Sequence, residues 1–149
     1  MDGRFRELPP GIRVATAADI PWIIDLSLAV YPPGYFDAQA GWEWVARMVT
    51  SPKVLVLCGR KSWLAVTVTA PEYQPKNKEG SFLPIAGRAS KELFAMTDIA
   101  VEWCFRQGAG KVYFGAVTGQ DLGPLARHVG GVPVSPTYEV TRDVFQASR

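Results

Sequence analysis

Residues 81–90, Ser81-Phe82-Leu83-Pro84-Ile85-Ala86-Gly87-Arg88-Ala89-Ser90, carry a short strand-like run into the longest helical pattern of the chain. From Ser90 to about Gln107, Leu93, Met96, Ala100, Trp103 and Cys104 recur on one helical face. Lys91, Asp98, Glu102 and Arg106 form the opposite face, and Gly108-Ala109-Gly110 ends the helix. Pro84 demotes the run 81–85 to an edge, a strand end or a bulge. A helix that starts just beyond a glycine leaves free N–H groups with the helix dipole behind them. That combination makes a seat for a pyrophosphate, and Arg88 adds a charge able to grip it. The plainer alternative is a tight turn at Gly87 with Arg88 in solvent.

Downstream, Lys111–Val117 reads as a strand, and Leu122, Leu125, Ala126 and Val129 as a short helix closed by Gly130-Gly131. Extended pieces are expected near Val132–Val134 and from Thr137 to Phe145. Upstream, Ile12–Ala15 predicts a short strand. Thr16 and Asp19 then offer caps for a helix with Pro21 in its first turn. Its stripe is Ile20, Ile23, Ile24, Ser27 and Leu28, with Asp19 and Asp25 facing water, and Pro32-Pro33-Gly34 stops it. Asp37 caps a second helix with Ala38, Trp42, Val45, Met48 and Val49 inward. Val54–Cys58 and Trp63–Thr69 read as a hairpin about Gly59–Ser62, followed by a polar loop over 70–80. Strands and helices interleave in the second half while the middle is a meander, which argues for a mixed sheet with helices on both faces. Residues 1–11 read as an irregular lead-in and 12–149 as one domain.

A composition 48% hydrophobic and 20% charged is that of a folded soluble protein. The net charge of +2 is too balanced to announce a nucleic-acid or membrane surface. The short basic turns Arg60-Lys61 and Lys76-Asn77-Lys78 read as solvated, with contact to an acidic substrate or nucleic acid as the minor alternative. Cys58 and Cys104 fall in apolar segments and read as buried thiols. With His128 as the one histidine, a structural zinc site lacks its ligands. The first residues carry no long apolar stretch, so cytoplasmic residence is expected, with no membrane partner and a monomer or homodimer as the working form.

The element order, with Ile12-Arg13-x-Ala15-Thr16-x-x-Asp19-Ile20 at its start, resembles the GCN5-related N-acetyltransferase (GNAT) superfamily over nearly the whole chain. The resemblance implies an α/β fold with a mixed, mostly antiparallel central sheet and helices on both faces. It implies acetyl-coenzyme A as cofactor and direct acetyl transfer to an amine of a small molecule or protein. The family's (R/Q)-x-x-G-x-(G/A) turn aligns with Pro84–Ala89; the Gly-x-Ala half matches, and Pro84 replaces the leading Arg or Gln. Cofactor contacts are thereby expected at Ile85, Ala86, Gly87, Arg88, Ala89 and Ser90, with Gln120 standing in for the family's Asn beside the pantetheine arm. The Tyr that protonates the departing thiolate is replaced by Ala126 or Arg127.

Glu72 and Tyr73 after the third strand, Tyr138 on the late strand and His128 are candidates for the catalytic acid and base. Tyr31 and Tyr35, with Phe36, occupy the loop that covers the acceptor in this fold; they line a pocket or else pack as a rigid connector against Trp42 or Trp44. Trp22, Trp63 and Trp103 read as core. The lost Tyr also admits a catalytically silent binding or assembly module. Some phage DNA-modification enzymes share the fold, so a nucleobase acceptor is a third reading.

Overall fold

Alternation along residues 54–69 sorts the core into two layers. On β2 (Val54–Cys58) Leu55 and Leu57 face one way, Val56 and Cys58 the other. On β3 (Trp63–Thr69) Leu64, Val66 and Val68 join the first set, and Trp63 and Ala65 the second. Both strands are therefore covered on both faces, as their aliphatic runs demand. The computed structural model describes residues 8–88, 90–115, 121–134 and 140–148.

The five strands lie in sequence order, with β1 (Arg13–Val14), β2, β3 and β4 (Glu79–Ala86) antiparallel. β5 (Lys111–Tyr113) is parallel to β4, and the crossover between them is α3 (Lys91–Arg106). One face carries α3 and the short α4 (Gly123–His128), whose Leu93, Met96, Ala100, Trp103 and Leu125 meet the first layer. The other carries α1 (Ile20–Val30) and α2 (Ala38–Thr50), whose Ile20, Ile23, Ile24, Val45 and Met48 fill the second. The mixed, mostly antiparallel sheet with helices on both faces is as the sequence implies.

Several local expectations shift. β4 begins two residues early because β5 offers Glu79 and Gly80 parallel partners. Gly80 suits the close packing, since a Cβ there would lie 2.8 Å from Cys104 Sγ. Pro84 falls in a bulge, one of the places expected for it: Leu64 pairs with Ile85 but Val66 with Phe82, so β4 carries one extra residue. The inward face of α2 includes Gly41 and leaves Trp42 half exposed, because the Phe36 ring lies over Gly41. Leu28 is likewise half exposed. Asp19 does not face water but pairs with Arg13 and accepts from the Thr16 N–H (2.9 Å). The expected late strand is contradicted at its end: residues 142–147 form α5 (Arg142–Ala147), which buries no residue. There the Thr141 hydroxyl accepts from the Val144 N–H (3.3 Å) and Asp143 sits in the first turn, so local capping overrides β propensity. Val132–Val134 is not in a strand, and β5 stops at Tyr113.

Within the second layer a buried polar contact ties β3 to α1. Trp63 Nε1 donates to Ser27 Oγ (2.9 Å), which donates to the Ile23 carbonyl (2.7 Å), all buried. Ser27→Ala strands a buried indole N–H. It is expected to lower stability by about 1–3 kcal/mol, readable as a fall in the urea midpoint with an unchanged slope.

Candidate functional site

β4 and β5 pair only over Glu79–Ser81 and Lys111–Tyr113. β4 then runs on to Ala86, so beyond Ser81 it keeps β3 on one side and no strand on the other among the described residues. Phe82 and Phe114 stack across the start of this parting, ring centroids 4.3 Å apart. At its far end the chain turns at Gly87 (φ +133°) and enters α3, where Ser90 Oγ accepts from the Leu93 N–H (3.2 Å). Ser90 satisfies one of the orphan donors of the helix start. The N–H groups of Lys91 and Glu92 have no acceptor within the helix and, with the dipole, favour an anion there.

The residues expected to hold a cofactor divide by burial. Ile85 and Ala86 are buried, one in each apolar layer, so only their backbone can serve a ligand. Arg88 and Ser90 are exposed at the mouth of the turn. Gly87 is dictated by packing as well as by φ, because a Cβ would lie 2.5 Å from Ser62 Cβ and 3.2 Å from the Lys61 carbonyl. Ala89 and Gln120 lie outside the described residues. An apolar cavity of about 720 Å³ sits elsewhere, between Phe105, Val112, Phe114, Ala126 and Val132, and none of the described residues of 84–90 lines it.

The decisive side chain at this turn is one the sequence did not single out. Glu92, in the first turn of α3, reaches back to the β2–β3 hairpin. It accepts from the N–H groups of Arg60 (2.8 Å) and Lys61 (3.0 Å) and from the Ser62 hydroxyl (2.8 Å). Partial burial works against its charge. The Lys61 and Arg60 N–H donors, the Ser62 hydroxyl and the Arg60 charge outweigh that and hold the carboxyl below its ordinary value. A glutamate in a first helical turn ordinarily signals dipole compensation; partners 30–32 residues away leave no local mark.

Tyr31 lies in the core between Tyr35 (centroids 5.3 Å) and Phe36 (5.9 Å, near-parallel). Its hydroxyl donates to the Ile85 carbonyl (3.2 Å), a β4 acceptor beyond the last residue paired with β5. Burial, helped by Tyr35, pushes the phenol up to about 12, so it stays neutral. Tyr35 is 48% exposed and is the member of this pair able to meet an acceptor.

The three described candidates for acid and base do not converge. Trp63 pairs with Ala86 and Thr69 with Glu79, so the loop after β3 meets the start of β4, a strand length (about 24 Å) from Gly87. Glu72 lines a cavity of about 320 Å³ there with Trp103 and Gln107, at the C-terminal end of α3, and Tyr73 is 83% exposed. The antiparallel register thus sets this loop far from the Gly87 turn, while Phe82, where the parting begins, lies three residues along β4 from Glu79. His128 lies over the first half of α3, Nε2 3.0 Å from Asp98 Oδ2 and its ring stacked on Phe94 (4.9 Å). Tyr138 lies outside the described residues. Burial pushes the thiols of Cys58 and Cys104 up to about 12, which leaves neither as a nucleophile. Among the described residues no three His, Cys, Asp or Glu side chains gather to hold a metal ion, and no helix is long and apolar enough to cross a membrane.

Gly87→Ala combines a disfavoured φ with a collision and is expected to cost about 2–3 kcal/mol in thermal or urea unfolding. Gly34→Ala is the control: φ is +80° but nothing lies within 4 Å, so it is expected to cost about 1 kcal/mol. Because the folded Glu92 carboxyl sits below its unfolded value, its stabilisation is present above the ordinary carboxyl range, near 4.5, and is lost as pH falls through the folded value. The stability gap between the wild type and Glu92→Gln is therefore expected at pH 7 and should close on acidification. A pH-independent gap would contradict a charged clamp.

No protein-family model matches the sequence, and no match is found among the curated proteins. Solved structures do match in shape. An aminoglycoside antibiotic 6'-N-acetyltransferase from Acinetobacter haemolyticus superposes with TM-score 0.69 at 11% identity, covering 88% of this chain and 97% of that one. A predicted acetyltransferase from Clostridium acetobutylicum, solved with acetyl-CoA, gives 0.66 at 13% identity, over 87% and 94%. A ribosomal-protein-alanine N-acetyltransferase from Brucella melitensis gives 0.62 at 12% identity, over 87% and 98%. At such identities the likeness speaks for the fold. With the mixed sheet, the parted parallel strands and the helix start at their open end, the chain has the fold of the GCN5-related N-acetyltransferase superfamily.

Proposed function

We propose that the chain is an acetyl-CoA-dependent N-acetyltransferase that passes an acetyl group directly to an amine of a small molecule or protein. The observation that carries this reading is the parting of β4 from β5 beyond Ser81 and Tyr113, with the head of α3 at its open end. Backbone groups of β4 left without a strand partner suit an extended amide-bearing chain such as pantetheine. The α3 N–H groups and Arg88 suit its pyrophosphate. The three structures of similar shape named above are acetyltransferases, one of them solved with acetyl-CoA.

When bound, the cofactor supplies an activated thioester carbonyl. The chain's own part is to seat the phosphates at Gly87, Arg88, Ser90 and, by the resemblance, Ala89, with Gln120 beside the pantetheine arm. It also borders the acceptor through Tyr35, with Tyr31 fixing that loop to β4, and takes up the proton the attacking amine releases. His128 is the candidate base on the α3-head half of the molecule; Tyr138 is the other candidate kept from the sequence. A second reading, a catalytically silent binding module, is favoured by one observation: His128 Nε2 is already engaged by Asp98. A nucleic-acid acceptor has less behind it. Arg60 lies against Gly11 and Lys78 reaches the Gln107 carbonyl, so the basic turns are spent singly.

Titration calorimetry with coenzyme A is expected to show saturable binding that Gly87→Glu abolishes; no binding by the wild type would end the cofactor reading. Release of free thiol from acetyl-CoA with a panel of amines then separates the readings. Turnover is expected for the transferase, and binding without turnover on any amine would leave the silent module.

A further inference from the structure

We infer that Glu92 is a positioning residue for the phosphate seat: it locks the head of α3 onto the β2–β3 hairpin and so keeps the seat's donors aimed outward. The inference rests on the cofactor reading above and adds a residue to it. A carboxylate in the first turn of the helix that receives a pyrophosphate is at first sight misplaced, because like charges repel. The geometry removes the conflict. Oε2 takes the Arg60 N–H, and Oε1 takes the Lys61 N–H and the Ser62 hydroxyl, so both oxygens are committed to the hairpin.

The site is built for this contact on three sides. Gly59 leaves the necessary space, since a Cβ there would lie 2.3 Å from Glu92 Oε1. Ser62 is the shared stone: its hydroxyl donates to Glu92, and its Cβ is what a side chain at position 87 would strike. Ser62 Oγ also lies 3.4 Å from Met96 Sδ, one turn further along α3. The turn at Gly87, the hairpin at 59–62 and the first turn of α3 are thus one three-cornered contact. Glu92 is the corner with no substitute. Glutamine keeps the size, yet it turns an NH₂ toward a hairpin donor. Loss of the clamp lets the helix head and the Gly87 turn move apart, and the cost falls on whatever those two hold jointly.

The two roles open to Glu92 predict opposite signs. A merely repulsive carboxylate makes Glu92→Gln bind coenzyme A more tightly; a positioning carboxylate makes it bind more weakly. Calorimetry at pH 7.5 with coenzyme A is expected to show about tenfold weaker binding for Glu92→Gln and a smaller loss, in the same direction, for Ser62→Ala. Phosphorus NMR of the saturated complexes supplies the reading that general destabilisation would not move. The pyrophosphate resonances are expected to shift back toward free coenzyme A in Glu92→Gln while the 3'-phosphate resonance stays put. Unchanged or tighter binding overturns the inference, as does weaker binding with the pyrophosphate resonances left where the wild type has them. Should Glu92→Gln fail to fold, Ser62→Ala is read by the same criteria. A wild type that binds no coenzyme A brings down the cofactor reading and this inference with it, and that result is distinct from a wild type that binds and a variant that does not change.

Discussion

The structure hangs on what β3 does for β4. Among the described residues, five of the eight in β4, from Phe82 to Ala86, have a strand neighbour on one side only, and that neighbour is β3. A half-paired strand at the centre of a molecule is tolerable only against a rigid partner. β3 is that partner, buried along Trp63–Val66 with an apolar layer above and below it. Because β3 holds β4 from Trp63 to Thr69, β5 is free to leave after three residues. The chain thereby gains an open wedge of backbone without losing its core.

The bulge at Leu83–Pro84 and the turn at Gly87 serve the same end. Pro84 has no N–H to offer, and a bulge is one of the few places inside a sheet that accepts it. Tyr31 then steadies the strand beyond the bulge through the Ile85 carbonyl, and Glu92 steadies the helix that follows. Each contact reaches across thirty or more positions of sequence. The wedge is held open by residues from the two elements flanking it, not by the strand that forms it.

Much of this was legible from local rules. Asp37 caps the helix it was expected to cap, because a short polar side chain at a helix start answers to its own neighbours. The α3 stripe held because sixteen residues of one period outweigh any single exception. What was not legible depends on pairing over distance. Glu79 and Gly80 look like loop until β5 lies beside them, and Gly41 looks outward until Phe36 covers it. Which part of the site the Glu72–Tyr73 loop adjoins is set by the antiparallel register, which puts it beside the start of β4 and away from the Gly87 turn. Glu92 was invisible for the same reason, since its partners sit on a hairpin thirty residues earlier. The helix start after Gly87 was thus readable from local residues, and the long-range contacts that fix it were not.

The two thiols offer a last consequence. Cys58 belongs to the layer under α1 and α2, Cys104 to the layer under α3, and both are fully buried. A thiol reagent therefore meets neither in the native state, and whichever layer loosens first surrenders its own cysteine. The chain carries a pair of built-in reporters, one per face of the sheet. Mass-resolved alkylation of Cys58 against Cys104 would time the opening of each face separately, with no engineered label.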